Sequence, residues 1–156
     1  MILPLGDPRL YQKSVSVAQE EVAGLLPAVE DLRDILFEFR ARYNAGRGVA
    51  APQIGVMKRL VYIHIDRPMI IFNPVLSGFS SELFELWDDC MCFPNLLVRL
   101  RRHRSLTLTY RDENWKECRV DARDSLSELI QHEYDHLDGI LATQRAIDDK
   151  SFRWRS

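Results

Sequence analysis

The segment Gln131-His132-Glu133-Tyr134-Asp135-His136 carries two histidines four residues apart, with a glutamate beside the first. On a helix, positions i and i+4 lie about 400° apart in rotation, so both imidazoles leave the same face. The flanking residues predict that helix over Asp124–Leu137. Leu129, Ile130 and Leu137 make it partly apolar, and Gly139 follows as a C-cap residue. A partly apolar helix packs inside its domain, so the remaining chain has to wrap around it. Neighbouring buried histidines need a common partner, and a shared metal ion supplies one. Glu133 then sits where it can take a proton from water at the metal and pass it on, the general acid/base role in hydrolysis.

Such a site needs a third protein ligand. Downstream of His136 there is neither histidine nor glutamate, only Asp138, Asp148 and Asp149. The other histidines are His64, in a predicted strand, and His103, in an arginine-rich run. The thiols upstream are the better donors, and spacing alone leaves Cys90 and Cys92 both open. Cys118 falls in another predicted strand. Three cysteines are a poor disulfide framework.

The helix Pro27–Tyr43 is predicted from Val29, Leu32, Ile35, Leu36 and Phe39. Residues 1–17 read as an extended arm with a turn at Asp7-Pro8, and 44–56 as a Gly/Ala/Pro-rich loop. Strands are expected at Leu60–Ile65, at Met69–Phe72 (ended by Asn73-Pro74), at Leu106–Tyr110 and at Glu117–Val120. Glu82–Pro94 reads as less regular, and 143–156 as a short irregular tail. This order predicts an α+β fold, with mixed β-strands packed around the central histidine helix and a second helix near the N-terminus. All 156 residues are expected to form one domain. The net charge of −2 gives no bulk basic field to recruit nucleic acid or an anionic membrane, and no apolar run is long enough to span one. The first residues lack the pattern of a secretory signal, so a cytoplasmic location is expected. The basic run Arg99–Arg104 reads as a solvated strand edge.

Three motifs in order make the chain resemble the peptide deformylase family. Gly46-Arg47-Gly48-Val49-Ala50-Ala51-Pro52-Gln53 matches its glycine-rich loop. Asp88-Asp89-Cys90-Met91-Cys92-Phe93-Pro94 is a degraded form of its cysteine motif, and Gln131–His136 matches its histidine motif in full. The resemblance implies a peptide-deformylase-like fold and Cys90, His132 and His136 as ligands of one divalent metal. That metal would be ferrous iron in the cell, with zinc, nickel or cobalt possible in its place. The implied reaction hydrolyses the N-formyl group of formylmethionyl peptides, with Glu133 as the general base. Gln53 and the backbone N–H of Met91 would hold the oxyanion, and the backbone at Gly48 would line the substrate. Family members often end in a long helix that docks on the ribosome. The chain here stops at Phe152–Ser156, which weakens that expectation.

The departures from the family cluster around the pocket rather than the metal. Asp89 replaces a glycine and Cys92 a serine. Arg47 stands where the family has an apolar residue. Ser125 and Glu128 stand at positions that, with Leu129, would wall the methionine pocket. Glu128 is four residues before His132 and shares its face, and Arg47 is its candidate partner. Arg99 is a candidate for a substrate-holding arginine that the family has near position 97. These residues raise a second possibility, an amidase acting on another formylated compound with a polar group in the pocket. A third is a metal-binding module without catalysis, which the intact Gln53 and Glu133 weaken.

Overall fold

The computed structural model describes residues 1–156. Helix α1 (Val22–Tyr43) is followed by β1 (Gly48–Ala50), β2 (Leu60–His64), β3 (Pro68–Ser77), β4 (Leu83–Asp88), β5 (Leu96–His103), β6 (Ser105–Arg111) and β7 (Glu117–Arg123). Helix α2 (Asp124–Leu137) and β8 (Phe152–Trp154) complete the chain. One sheet has the order β1-β2-β3-β6-β7, the other β4-β5-β8. Every ladder is antiparallel, and the parallel contact is the isolated bridge Val15–Lys58.

The larger sheet is covered on both faces. Successive side chains of a strand point to opposite sides. Leu60 and Tyr62 of β2 therefore pack with Leu32 and Leu36 of α1, while Val61 and Ile63 pack with Leu129, Ile130 and Leu137 of α2. Leu106 and Leu108 of β6 join the α2 side. A third cluster joins Cys90, Cys92 and Phe93 to Val98 and Leu100 of β5, Leu3 and Leu10 of the N-terminal arm, and Leu141. Ten of the fourteen residues of α2 are buried, so this helix lies inside the fold. Residues after it close its end. Gly139 has φ +73°, and Ile140 N–H donates to Asp135 O. A Cβ at Gly139 would stand 2.5 Å from the Tyr11 carbonyl carbon, so this position requires glycine for space as well as for backbone conformation.

Several elements differ from the sequence reading. Helix α1 begins at Val22, five residues before Pro27. Glu21 accepts the Ala18 N–H and pairs with Lys58, and Val22 is buried, so tertiary contacts carry the helix past a proline that cannot donate. β3 does not stop at Asn73-Pro74. Its register shifts there and pairing resumes at Val75. Asn73, at φ +50°, bonds both the N–H and the carbonyl of Val17 through its side chain, which holds the bulge in place. Glu82–Pro94 contains the regular strand β4, and the basic run belongs to β5. The tail is not irregular throughout, because β8 pairs with β5.

Candidate metal centre

Helix α2 presents His132 and His136 one turn apart, and the loop after β4 brings Cys90 to them. Cys90 Sγ lies 3.4 Å from His136 Nε2, which lies 3.3 Å from His132 Nε2. The three donor atoms all fall within 4.8 Å of one another, and all three residues are buried. A tetrahedral ion with bonds of about 2.05 Å to nitrogen and 2.3 Å to sulfur would space its donors about 3.4 and 3.6 Å apart. The observed separations fit. The chemistry of the donor set fits as well. Burial, then the neighbouring Cys92, pushes the Cys90 thiol well up, and burial with His132 pushes His136 well down. A divalent cation stabilises the thiolate and the neutral imidazole together.

The geometry around the histidines is set by a buried chain of charges. His132 Nδ1 lies 2.7 Å from Asp88 Oδ2, which leaves Nε2 to face the other donors. Burial opposes a charge on His132, but Asp88 outweighs it and holds the imidazole at about 10. Arg102 reaches Asp88 at 3.5 Å and Asp135 at 2.7 Å, and Arg145 forks onto Asp135 with two contacts of 2.9 Å. Arg102 is only 3% exposed. The basic run is therefore not wholly a solvated edge. It alternates along β5, with Arg101 outward and Arg102 buried under the histidine helix.

Glu133 is buried, and its Oε1 has no hydrogen-bond partner. Burial raises its carboxyl to about 7, helped by Asp88 and Glu128 and opposed by His132. Its side chain packs over Gly48, where a Cβ would stand 3.2 Å from Glu133 Oε2 and 3.2 Å from Ile63 Cγ1. Gln53 Oε1 accepts the Ala50 N–H at 2.8 Å, which turns Nε2 toward Cys90 Sγ (3.7 Å) and Cys92 Sγ (3.5 Å). The Met91 N–H donates to no group of the protein. The N-terminal arm joins the two loops behind the site, with Leu3 N–H on Gln53 O and Leu5 N–H on Cys92 O.

These groups line a small cleft of about 50 Å³. Its wall includes Arg47, Gly48, Gln53, Met91, Leu129 and Glu133. A family model described as polypeptide deformylase matches residues 1–152. The chain belongs to the peptide deformylase family. A peptide deformylase of Treponema pallidum (strain Nichols) is 38% identical over 149 residues, covering 94% of this chain and 86% of its own. Peptide deformylase 2 of Gloeobacter violaceus is 35% identical over 148 residues, covering 90% and 75%. Among solved structures, the Plasmodium falciparum peptide deformylase in complex with an inhibitor superposes with a TM-score of 0.85 at 26% identity, covering 95% of this chain and 90% of that one. The Thermus thermophilus peptide deformylase gives 0.83 at 31% identity, covering 92% and 83%.

Within this deformylase fold, two residues anticipated at the pocket lie elsewhere. Ser125 is exposed at the start of α2, and only its carbonyl takes part, accepting from Arg47 Nη1 at 3.1 Å. Arg99 lies on β5 beside Trp87 and pairs with Asp148 and Glu85, outside the cleft lining. Arg47 does pair with Glu128, which is buried. Asp89 turns to the Arg155 guanidinium at 2.6 Å, tying the cysteine loop to the residue after β8. Phe39 of α1 lines the cleft, and so do Asp88 and Asp89. Sequence reasoning assigned no role to Phe39, Asp88 or Arg102. The one signal for Asp88 was its place two residues before Cys90. For Arg102 it was the period of two along a strand, once the strand was recognised.

Proposed function

We propose that this chain is a metal-dependent peptide deformylase that hydrolyses N-formyl peptides to formate and a free amine, with the 156 residues serving a single site. One observation carries the reading: Cys90, His132 and His136 converge beside a buried, unpartnered Glu133 in an open cleft. The donors suit one divalent ion, with ferrous iron, zinc, nickel and cobalt all compatible with two imidazoles and a thiolate. When bound, the ion supplies Lewis acidity and makes water a competent nucleophile near neutral pH. No helix is long and apolar enough to cross a membrane.

The residues divide the remaining work. β1 is the edge strand of the larger sheet, so the backbone from Gly48 onward offers an extended peptide a strand to pair with. Gln53 Nε2 and the Met91 N–H line the cleft as donors for the oxygen of the formyl group as it gains charge. Glu133 Oε1, with no partner of its own, accepts the proton of the attacking water. As the new C–O bond forms and the C–N bond breaks, Glu133 returns that proton to the leaving nitrogen.

The test is formate release from a panel of N-formyl peptides by metal-loaded protein, with Glu133→Ala and a chelated sample as controls. Release that is lost in both controls supports the proposal. No release from any peptide, or undiminished release by Glu133→Ala, would refute it.

A further inference from the structure

One wall of the cleft is charged, and no part of the mechanism above uses that charge. Glu128 lies one turn before His132 on the same face of α2, and its side chain is 7% exposed. Its partner Arg47, 38% exposed, lies on the loop before β1, and its second nitrogen donates to the Ser125 carbonyl. Both residues line the cleft, with Leu129 and Met91 as apolar neighbours. Of the other acids of the cleft, Asp88 holds His132 and Arg102, Asp89 holds Arg155, and Glu133 is the unpartnered base of the mechanism above. Glu128 therefore depends on Arg47, and Arg47 is the half of the pair that can swing into solvent.

A buried carboxylate has to keep a donor. A substrate group entering this part of the cleft has two outcomes open to it. It can rest against the closed pair and strip its remaining water, or it can displace Arg47 and take over Glu128. The second is favourable only for a group carrying N–H donors. A thioether or alkyl chain has none. A site built to hydrogen-bond a substrate rejects an analogue lacking that group far more strongly than a greasy pocket rejects a change of shape.

We infer that Arg47 and Glu128 are specificity-determining residues that select formylated substrates bearing an amine or amide N–H on the side chain next to the formyl group, over methionine. The inference rests on the deformylase reading for the formyl end of the ligand. Its test separates binding from turnover. In the Glu133→Ala background, Kd is measured by calorimetry for formyl-Met-Ala-Ser, formyl-Lys-Ala-Ser and formyl-Gln-Ala-Ser on metal-loaded protein. The better of the lysine and glutamine peptides is expected to bind about tenfold more tightly than the methionine peptide. Adding Arg47→Ile and Glu128→Ile together should reverse that order. Glu128→Gln, which keeps the shape and removes the charge, should lower the lysine-to-methionine preference and serves if the double variant does not fold. A preference below roughly threefold, an order unmoved by these substitutions, or no binding of any of the three peptides overturns the inference. The expected order of Kd without formate release from the protein carrying Glu133 would instead overturn the deformylase reading and leave the selectivity in place.

Discussion

Replacing Arg102 by methionine tests whether the buried charge network holds the histidine helix. The guanidinium is 3% exposed and bridges Asp88 of β4 and Asp135 of α2. Removing one partner of a buried ion pair costs about 3–5 kcal/mol when the other charge is left alone. Neither carboxylate is left alone here. Asp135 keeps the fork from Arg145, and Asp88 keeps His132 at 2.7 Å. The expected loss is therefore toward or below the low end of that range, about 2–3 kcal/mol, since the short charged contact to Asp135 is worth roughly 1.5–3 kcal/mol and the 3.5 Å contact to Asp88 adds little. For a chain of this size that is roughly a 4–12 °C fall in Tm. The assay is urea denaturation of the chelated protein, so that ion binding does not add to the difference. Arg101→Met is the internal control, because its neighbouring side chain is 57% exposed and pairs only with Glu85, at 3.8 Å. It should change stability by less than about 0.5 kcal/mol. Equal effects of the two substitutions, or a loss below about 0.5 kcal/mol for Arg102→Met, would refute the argument that the network stabilises the site.

Gly48→Ala should lower kcat several-fold, because its Cβ would stand 3.2 Å from both Glu133 Oε2 and Ile63 Cγ1 and the base would have to give by a few tenths of an ångström, where a full misplacement of about 1 Å in a reacting group costs about 100-fold. Steady-state kinetics with a formyl peptide would check it, and an unchanged kcat would count against Glu133 as the base. Gly139→Ala should destabilise the fold by more than about 2 kcal/mol, since it adds the cost of a left-handed alanine to a clash with the Tyr11 backbone; thermal denaturation would measure it. Burial holds the Glu128 carboxyl above its ordinary 4.5, with Arg47 opposing. The folded state then binds that proton more readily than the unfolded chain. Its stabilising contribution is present below pH 4.5 and is lost as pH rises through the folded value. Compared with Glu128→Gln, the parent protein should therefore lose relative stability as pH rises from 4.5 through the folded value, and denaturation midpoints at several pH values would show it.

Local patterns were legible where a local rule governed them. The pairing of His132 and His136 on one face follows from helical rotation, and Gly139 from the conformation a helix end demands. The alternation of Leu106 and Leu108 follows from the pleat of β6. The proline at 27 and the Asn73-Pro74 step misled the reading. In both places a distant residue, Lys58 through Glu21 or Val17 through Asn73, outweighed the local preference. Strand β8 carries no pattern of its own in three exposed residues, and it exists because β5 offers it a free edge.

By itself, then, the sequence determined the histidine helix, the apolar faces that bury it and, through its motifs, the family. Tertiary structure decided which charges meet. Arg101 and Arg102 are the same residue type side by side, and only the packing of β5 under α2 makes one a surface group and the other a buried link to Asp88 and Asp135. Arg47 and Glu128 are 81 positions apart, and their pairing needs β1 to lie against α2. Arg99 is as basic as either, but the fold turns it toward Trp87, Glu85 and Asp148. Periodicity is a property of neighbours along the chain, whereas a buried charge finds its partner only when the whole chain has closed around it.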